Sequence, residues 1–152
     1  MSGLHEIQNA LKSRISGSFT AAKSVNIVPV RGASQLHSYI TPLVEIVFAG
    51  GPYSPSKGSS GGMNRFDFQV FIVQVNWAGT DVTTGGGGAT GLAEMIDTLL
   101  PILDDYRLTD ELGGIISAAT IESYIGTGLH PVGDGSNYAA SIGLQISYYY
   151  HV

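Results

Sequence analysis

The chain has 152 residues, a formal net charge of −5 and no cysteine. This length suits a single domain with its own core, and the absence of cysteine excludes disulfides, zinc sites with thiolate ligands and cysteine nucleophiles. Charged residues make up only 12% of the chain, about half the usual share. The seven basic residues are scattered, so the chain lacks the clustered positive charge of a nucleic-acid binder. Low charge suits a surface that is partly covered by neighbours, and equally a compact sheet with long loops.

The first predicted element is an amphipathic helix near the N-terminus. Ser2 is its predicted N-cap, and Gly17-Ser18 is its predicted end. The segment Met1–Ile7 has no positive region followed by an apolar one, so we expect no secretory signal. No apolar run approaches the roughly 18 residues that span a bilayer, so we expect a soluble protein made in the cytoplasm. The apolar positions of the helix fall on one stripe: Leu4, Ile7, Ala10, Leu11 and Ile15.

Two strands and a long loop follow. The short run Val25–Val30 contains Pro29 and therefore predicts an edge strand or the end of one. Pro42 introduces an almost continuous apolar strand, Leu43–Phe48. The segment 50–64 is rich in glycine, proline and serine and predicts a mobile loop.

The strand Phe66–Trp77 changes its apolar face halfway. Even positions are apolar up to Ile72, whereas odd positions are apolar from Phe71 onward. Either a bulge lies near Val70–Val73, or one end of the strand faces the home core and the other end faces a different layer. A long strand that leaves its own core to meet a neighbour would produce this pattern.

A second glycine-rich loop, 78–90, precedes a second amphipathic helix. Thr90 is its predicted N-cap. Pro101 lies inside the helical pattern, so we expect a kink or a break near Leu100. The apolar stripe of this helix comprises Leu92, Met95, Ile96, Leu99 and Leu103.

The chain ends in an uncharged strand. Ile115–Ile125 alternates loosely as a strand, and 126–137 is predicted to be a third loop. From Tyr138 onward apolar residues occupy every second position, and no Lys, Arg, Asp or Glu follows Gly135. Because free sheet edges are normally guarded by charge or proline, this last strand should be either central in its sheet or covered by another subunit. The second alternative indicates an assembly component.

The element order is helix, two or three strands, helix, two strands. Because the strands are not each separated by a helix, the sequence predicts an α+β fold with a mostly antiparallel sheet. We expect the N-terminal helix and one central helix to pack on this sheet, long glycine-rich loops to connect the elements, and residues 1–152 to form a single domain.

The sequence offers little chemistry. Gly86-x-Gly88-x-x-Gly91 matches the dinucleotide fingerprint only formally, because the preceding strand ends too early for a tight strand-to-helix turn. The four histidines show no metal-ligand spacing, and there is no Gly-x-Ser-x-Gly elbow. We therefore predict no enzyme activity, no cofactor and no metal. The acids clustered between Glu94 and Glu122 indicate a solvated helix face and turn, or alternatively a divalent-ion site or a surface that repels DNA.

As a whole the chain resembles the tail-terminator or tail-completion proteins of tailed bacteriophages. The residues that carry the resemblance are the opening helix (Leu4–Ile15), the segment Thr41–Gly50, the long strand (Phe66–Trp77), the single helix from Leu92 to about Leu103, and the final strand (Leu144–Tyr150). The resemblance implies an α+β subunit of a ring, typically a hexamer, on the head-proximal end of the tail tube. It also implies a virion location at the tail or neck, after assembly in the host cytoplasm.

The partners implied by this resemblance are further copies of the chain, the tail tube protein and a neck or connector protein. DNA would be only passing cargo, which an acidic lumen lined by residues from Glu94–Glu122 would not retain, and no membrane is involved. In the triple tyrosine, Tyr148 and Tyr150 should lie in the core and Tyr149 against a neighbour. The full set of expected interface residues is Tyr53, Lys57, Met63, Arg65, Trp77, Tyr149 and Tyr150.

Two other classes of protein stay open at this point. A tube subunit or head–tail connector shares the composition and the need for uncharged strands, but a tube subunit should polymerise into long cylinders. A small enzyme or ligand-binding domain, with a glycine loop as its lid, should be a monomer with a measurable ligand.

Overall fold

The computed structural model describes residues 3–30, 42–52, 63–76, 91–104, 116–132 and 137–151; side-chain surroundings are described for 3–30, 42–52, 64–74, 91–104, 116, 118–126 and 141–149. The described strands form one sheet in the order β1-β2-β3-β5-β4. β1 and β2 are parallel, and all other neighbours are antiparallel, which confirms the predicted α+β fold. The elements in chain order are α1 (Leu4–Ser18), β1 (Ser24–Val28), β2 (Leu43–Gly50), β3 (Met63–Asn76), α2 (Leu92–Leu103), β4 (Ile116–Val132) and β5 (Asn137–His151).

Both helices pack on the same face of the sheet, α1 over β1 and α2 over β3 and β5, and they contact each other. The predicted stripes are the buried residues of each helix, except that Leu4 is only partly buried. Neither described helix is long and apolar enough to cross a membrane.

Both helices begin one residue later than their predicted N-caps imply. Gly3 caps α1 and Gly91 caps α2, so the predictions of Ser2 and Thr90 are wrong. Gly3 has no side chain to satisfy the first turn, but its backbone N–H donates to Glu6 Oε2 at 2.9 Å. This hydrogen bond lowers the pKa of the Glu6 carboxyl, because the charged form is the better acceptor.

Pro101 does not break α2, which continues to Leu103. Of the kink or break predicted near Leu100, the break is therefore wrong. Proline removes the N–H that would donate to the Asp97 carbonyl, but this is a single hydrogen bond, and only two helical residues follow Pro101. The turn closes with the N–H of Asp104 donating to the Leu100 carbonyl at 2.7 Å.

The middle of β3, Val70–Val73, is buried on both faces, and the strand contains no bulge. Its pairing with β5 is unbroken from Met63–His151 to Asn76–Tyr138, so of the two predicted alternatives the bulge is wrong and the face change marks two layers. On the helix side the strand contributes Phe68, Val70 and Ile72 to the main core. The opposite face is called the second face below. It carries a smaller buried cluster, the second cluster: Val28, Leu43, Val47, Phe71 and Val73, with Ile125 packed against it.

β5 is central, because it lies between β3 and β4. Of the two alternatives for the uncharged last strand, the structure therefore shows the first, and β5 does not need another subunit to protect its backbone. The edges of the described sheet are β1, as predicted for the run containing Pro29, and β4.

The connections differ from the predicted loops where the structure describes them. β4 extends to Val132, so the prediction of a loop over 126–137 is wrong for its first seven residues; 133–136 lie outside the described residues. β4 is interrupted instead by three register shifts. In the predicted loop 50–64, Met63 and Asn64 belong to β3, and 53–62 lie outside the described residues, as does the loop 78–90.

Gly51 follows β2 with φ +144°, where a β-carbon would collide with the Arg65 carbonyl oxygen. This close approach requires glycine.

Candidate interaction site on the second face

Polar side chains form a ladder across β3 and β5 on the second face. Residues of the two strands that face each other form the pairs Arg65–Tyr149, Asp67–Ser147 and Gln69–Gln145. Because side chains alternate along a strand, these residues share the face of Phe71 and Val73. The second face is thus polar at one end and apolar at the other.

Hydrogen bonds connect the side chains of the ladder. Ser147 Oγ donates to Asp67 Oδ1 at 2.6 Å, and Arg65 Nε lies 3.0 Å from the same oxygen and donates to Oδ2 at 3.3 Å. Gln69 Nε2 donates to Gln145 Oε1 at 3.2 Å. The side chain of Asp67 is 15% exposed. Its carboxylate is held by Ser147 from β5 and by the guanidinium of Arg65 from β3.

Arg65 is the accessible cation of this ladder, with 41% of its side chain exposed. The hydrogen bond and the negative charge of Asp67 raise the pKa of its guanidinium, and Tyr149 adds a smaller contribution in the same direction. Tyr149 is half-buried. The pair places a fixed positive charge beside a phenol ring.

The polar end of the second face forms an open depression of about 300 Å³. Glu122 reaches it from β4, at the register shift between Ile121 and Ser123, and is exposed. Two carboxylates, a guanidinium, an amide and a phenol suit recognition of a polar or charged group. Ser147 is 2% exposed and donates to Asp67, so its role in the depression is structural. The depression is lined by Arg65, Asp67, Glu122, Gln145, Ser147 and Tyr149.

The structure brings together two of the seven interface residues expected from the sequence, Arg65 and Tyr149. Met63 and Tyr150 lie in paired strands, opposite His151 and Asn64, but their side chains lie outside the described residues. The residues Tyr53, Lys57 and Trp77 lie outside them altogether.

The prediction for Tyr148 is confirmed: it is fully buried, and its ring centroid lies 6.0 Å from that of Phe68. Four residues of the ladder were not predicted from the sequence: Asp67, Gln69, Gln145 and Ser147. The available signal was the polar residues at alternate positions of both strands.

The acids between Glu94 and Glu122 that the structure describes are exposed. Glu94 and Asp97 lie on α2, Asp104 follows its last turn, and Glu122 lies on β4. The described residues include no group of three or more side chains that could hold a metal ion. This arrangement fits the solvated face that the sequence favoured.

Comparisons with known proteins add one structural similarity. No protein-family model matches the chain, and no curated protein matches it. Among solved structures the chain is similar to a chain of the virion of a native gene transfer agent particle, at 8% identity and a TM-score of 0.34, over 94% of this chain and 91% of that one.

We expect Ser147→Ala to lower the free energy of unfolding by about 1.5 kcal/mol, the low end for a hydrogen bond to a charged group, because Asp67 keeps its contact with Arg65. Urea unfolding followed by circular dichroism measures this change. Thr98→Ala is the matched control, since it removes an exposed hydroxyl that donates to the Glu94 carbonyl and should change stability by less than about 0.5 kcal/mol. Equal effects of the two substitutions would contradict the structural role of the ladder.

Proposed function

We propose that this chain is a structural virion protein that forms a ring on the head-proximal end of a phage tail tube. The ring ends tube polymerisation and joins the tail to the neck. The observation that carries the proposal is the Arg65–Tyr149 pair, which lines the open depression on the second face.

The chemistry of this pair suits a contact between proteins. Tyrosine and arginine are enriched among the residues that dominate binding energy at interfaces. Asp67 holds the guanidinium in place, so less side-chain freedom is lost when a partner binds. The low charge of the chain and its sequence resemblance to tail terminators support the same function.

A tube subunit or a head–tail connector is the alternative within the virion. Negative-stain images of the purified protein distinguish the candidates, because a terminator should stop at single rings and a tube subunit should grow into cylinders. A protein that stays monomeric at high concentration would contradict both and favour a small ligand-binding domain that uses the depression.

Tyr149→Asp should weaken assembly of the oligomeric ring at least tenfold, because it replaces an aromatic side chain at the contact by a carboxylate beside Asp67. Folding should change by less than about 1 kcal/mol, as for most surface substitutions, since Tyr149 faces away from the main core and its neighbour Tyr148 is untouched. Native mass spectrometry over a concentration series measures assembly, and urea unfolding measures folding.

Tyr149→Phe is the control for this experiment, because it keeps the aromatic ring and removes only the hydroxyl. It should assemble within a few-fold of the wild type, by the ordinary size of one hydrogen bond. An unchanged oligomer size for Tyr149→Asp would remove Tyr149 from the interface.

A further inference from the structure

We propose that the ring closes head to tail, with the β4 and α2 side of one copy docked on the α1 and β1 side of the next copy. This inference rests on the proposed function, because it names the surfaces that join the subunits of the ring. It is carried by the distribution of charge and of exposed hydrophobic side chains across the sheet.

Positive charge collects at the β1 end of the sheet. Three of the four basic side chains of the described residues lie here, Lys12 and Arg14 on α1 and Lys23 directly before β1, against one exposed acid, Glu6 on α1. α1 packs over β1, and β1 is the outermost described strand on this side. Lys12 and Lys23 are both exposed, so both are available to a partner.

Negative charge collects at the opposite end. Glu94 and Asp97 lie on the exposed side of α2, and Glu122 is exposed on β4. The two elements contain no lysine or arginine. α2 packs over β3 and β5, which places it on the β4 side of α1. The two ends of the described sheet are therefore complementary in charge.

Each end also exposes one large hydrophobic side chain. Among the described residues, the large hydrophobic side chains that are most exposed are Val30 at 62% and Tyr124 at 59%. Val30 lies just beyond β1, and Tyr124 lies on β4, two residues from Glu122. An apolar contact flanked by opposite charges is the usual composition of a specific interface.

Two different but complementary surfaces produce a heterologous contact, and repetition of such a contact closes into a ring when the rotation permits. A two-fold dimer that used one end alone would instead bring like charges together. The depression with Arg65 and Tyr149 opens beside the same β4 side, since Glu122 lines it. The proposed contact at Arg65 and Tyr149 is therefore continuous with the β4 surface.

Charge reversal at each end tests the inference. Lys12→Glu/Lys23→Glu changes four charge units, from −5 to −9, and Glu94→Lys/Glu122→Lys changes four in the other direction, from −5 to −1. Each variant alone should assemble at least tenfold more weakly than the wild type, because like charges then meet at every contact. Loss of assembly in the second variant cannot come from overall repulsion, since its net charge is closer to zero.

Mixing supplies the decisive measurement. An equimolar mixture of the two variants should form rings again, with the two kinds alternating around an even-numbered ring, and native mass spectrometry should find equal numbers of each. A single chain with all four substitutions should also assemble, which shows that the substituted residues permit folding. Circular dichroism and the unfolding midpoint check the fold of each variant.

The outcomes separate the two proposals. Wild-type rings together with normal rings from both reversed variants would overturn the head-to-tail contact and leave the proposed function standing. The contact would also be overturned if mixing failed to restore rings. Defective DNA passage through normal rings in Glu94→Lys/Glu122→Lys would assign these acids to the lumen instead. A wild type that never assembles would overturn the proposed function and this inference together.

Discussion

Phe71→Ala is expected to lower the free energy of unfolding by about 3–5 kcal/mol, the usual cost of deleting a buried phenylalanine ring. Phe71 is 1% exposed, although it points away from both described helices and packs with Leu43, Val47 and Val73 in the second cluster. The expected cost follows only if the second face of β3 is a true core layer. Urea unfolding of the variant, at the same protein concentration as the wild type, measures the change.

Ser13→Ala is the control for this prediction, because Ser13 is exposed on α1 and alanine is the better helix former. It should change stability by less than about 0.5 kcal/mol. A cost below about 1.5 kcal/mol for Phe71→Ala would mean that the second cluster contributes little. The face change in β3 would then need another explanation, such as cover from a neighbouring subunit.

The sequence was most informative where a local period determines the structure. A period of about 3.6 identified the buried stripes of both helices, including Ile7, Leu11 and Ile15 on α1. A period of two identified the buried side of β5, with Leu144 and Ile146 in the core. Each pattern depends only on residues a few positions apart.

The candidate site could not be found in the same way, because it depends on strand pairing. Arg65 and Tyr149 are far apart in the chain and meet only because β3 and β5 are neighbours in a particular register. A strand's own alternation does not specify its neighbours. For the same reason the uncharged β5 was compatible with both a central position and a covered edge.

Two wrong predictions, the break in α2 and the loop that begins at residue 126, came from glycine and proline residues. These residues usually interrupt regular structure but are tolerated at the end or edge of an element. Pro101 occupies the last turn of α2, and only two helical residues follow it. Gly126, Gly128 and Pro131 suggested a loop but belong to β4. β4 is an edge strand, in which glycine, proline and bulges are accommodated and prevent unwanted pairing.

Gly143→Ala is expected to destabilise the protein by about 3 kcal/mol, the upper end of the range for overpacking a core. An added β-carbon would lie 2.7 Å from Phe71 Cδ1 and 2.8 Å from the Val70 carbonyl oxygen. Gly143 sits between Phe71 on β3 and Ile125 on β4, so the backbone is held on both sides. The ring of Phe71 is fixed by the second cluster and has little room to move away.

Gly126→Ala is the matched control, because this strand glycine has nothing within 4 Å of the added β-carbon and should be tolerated within about 0.5 kcal/mol. The reason for the cost at Gly143 can be tested by combining it with Phe71→Ala. With the ring removed, one of the two close contacts disappears, so the added methyl group should cost at least about 1 kcal/mol less, within the usual range of coupling between touching residues. Equal costs in the two backgrounds would show that the collision with the Val70 carbonyl dominates. In that case the glycine is required by the close approach of β3 and β5, the two strands that hold Arg65 and Tyr149 together.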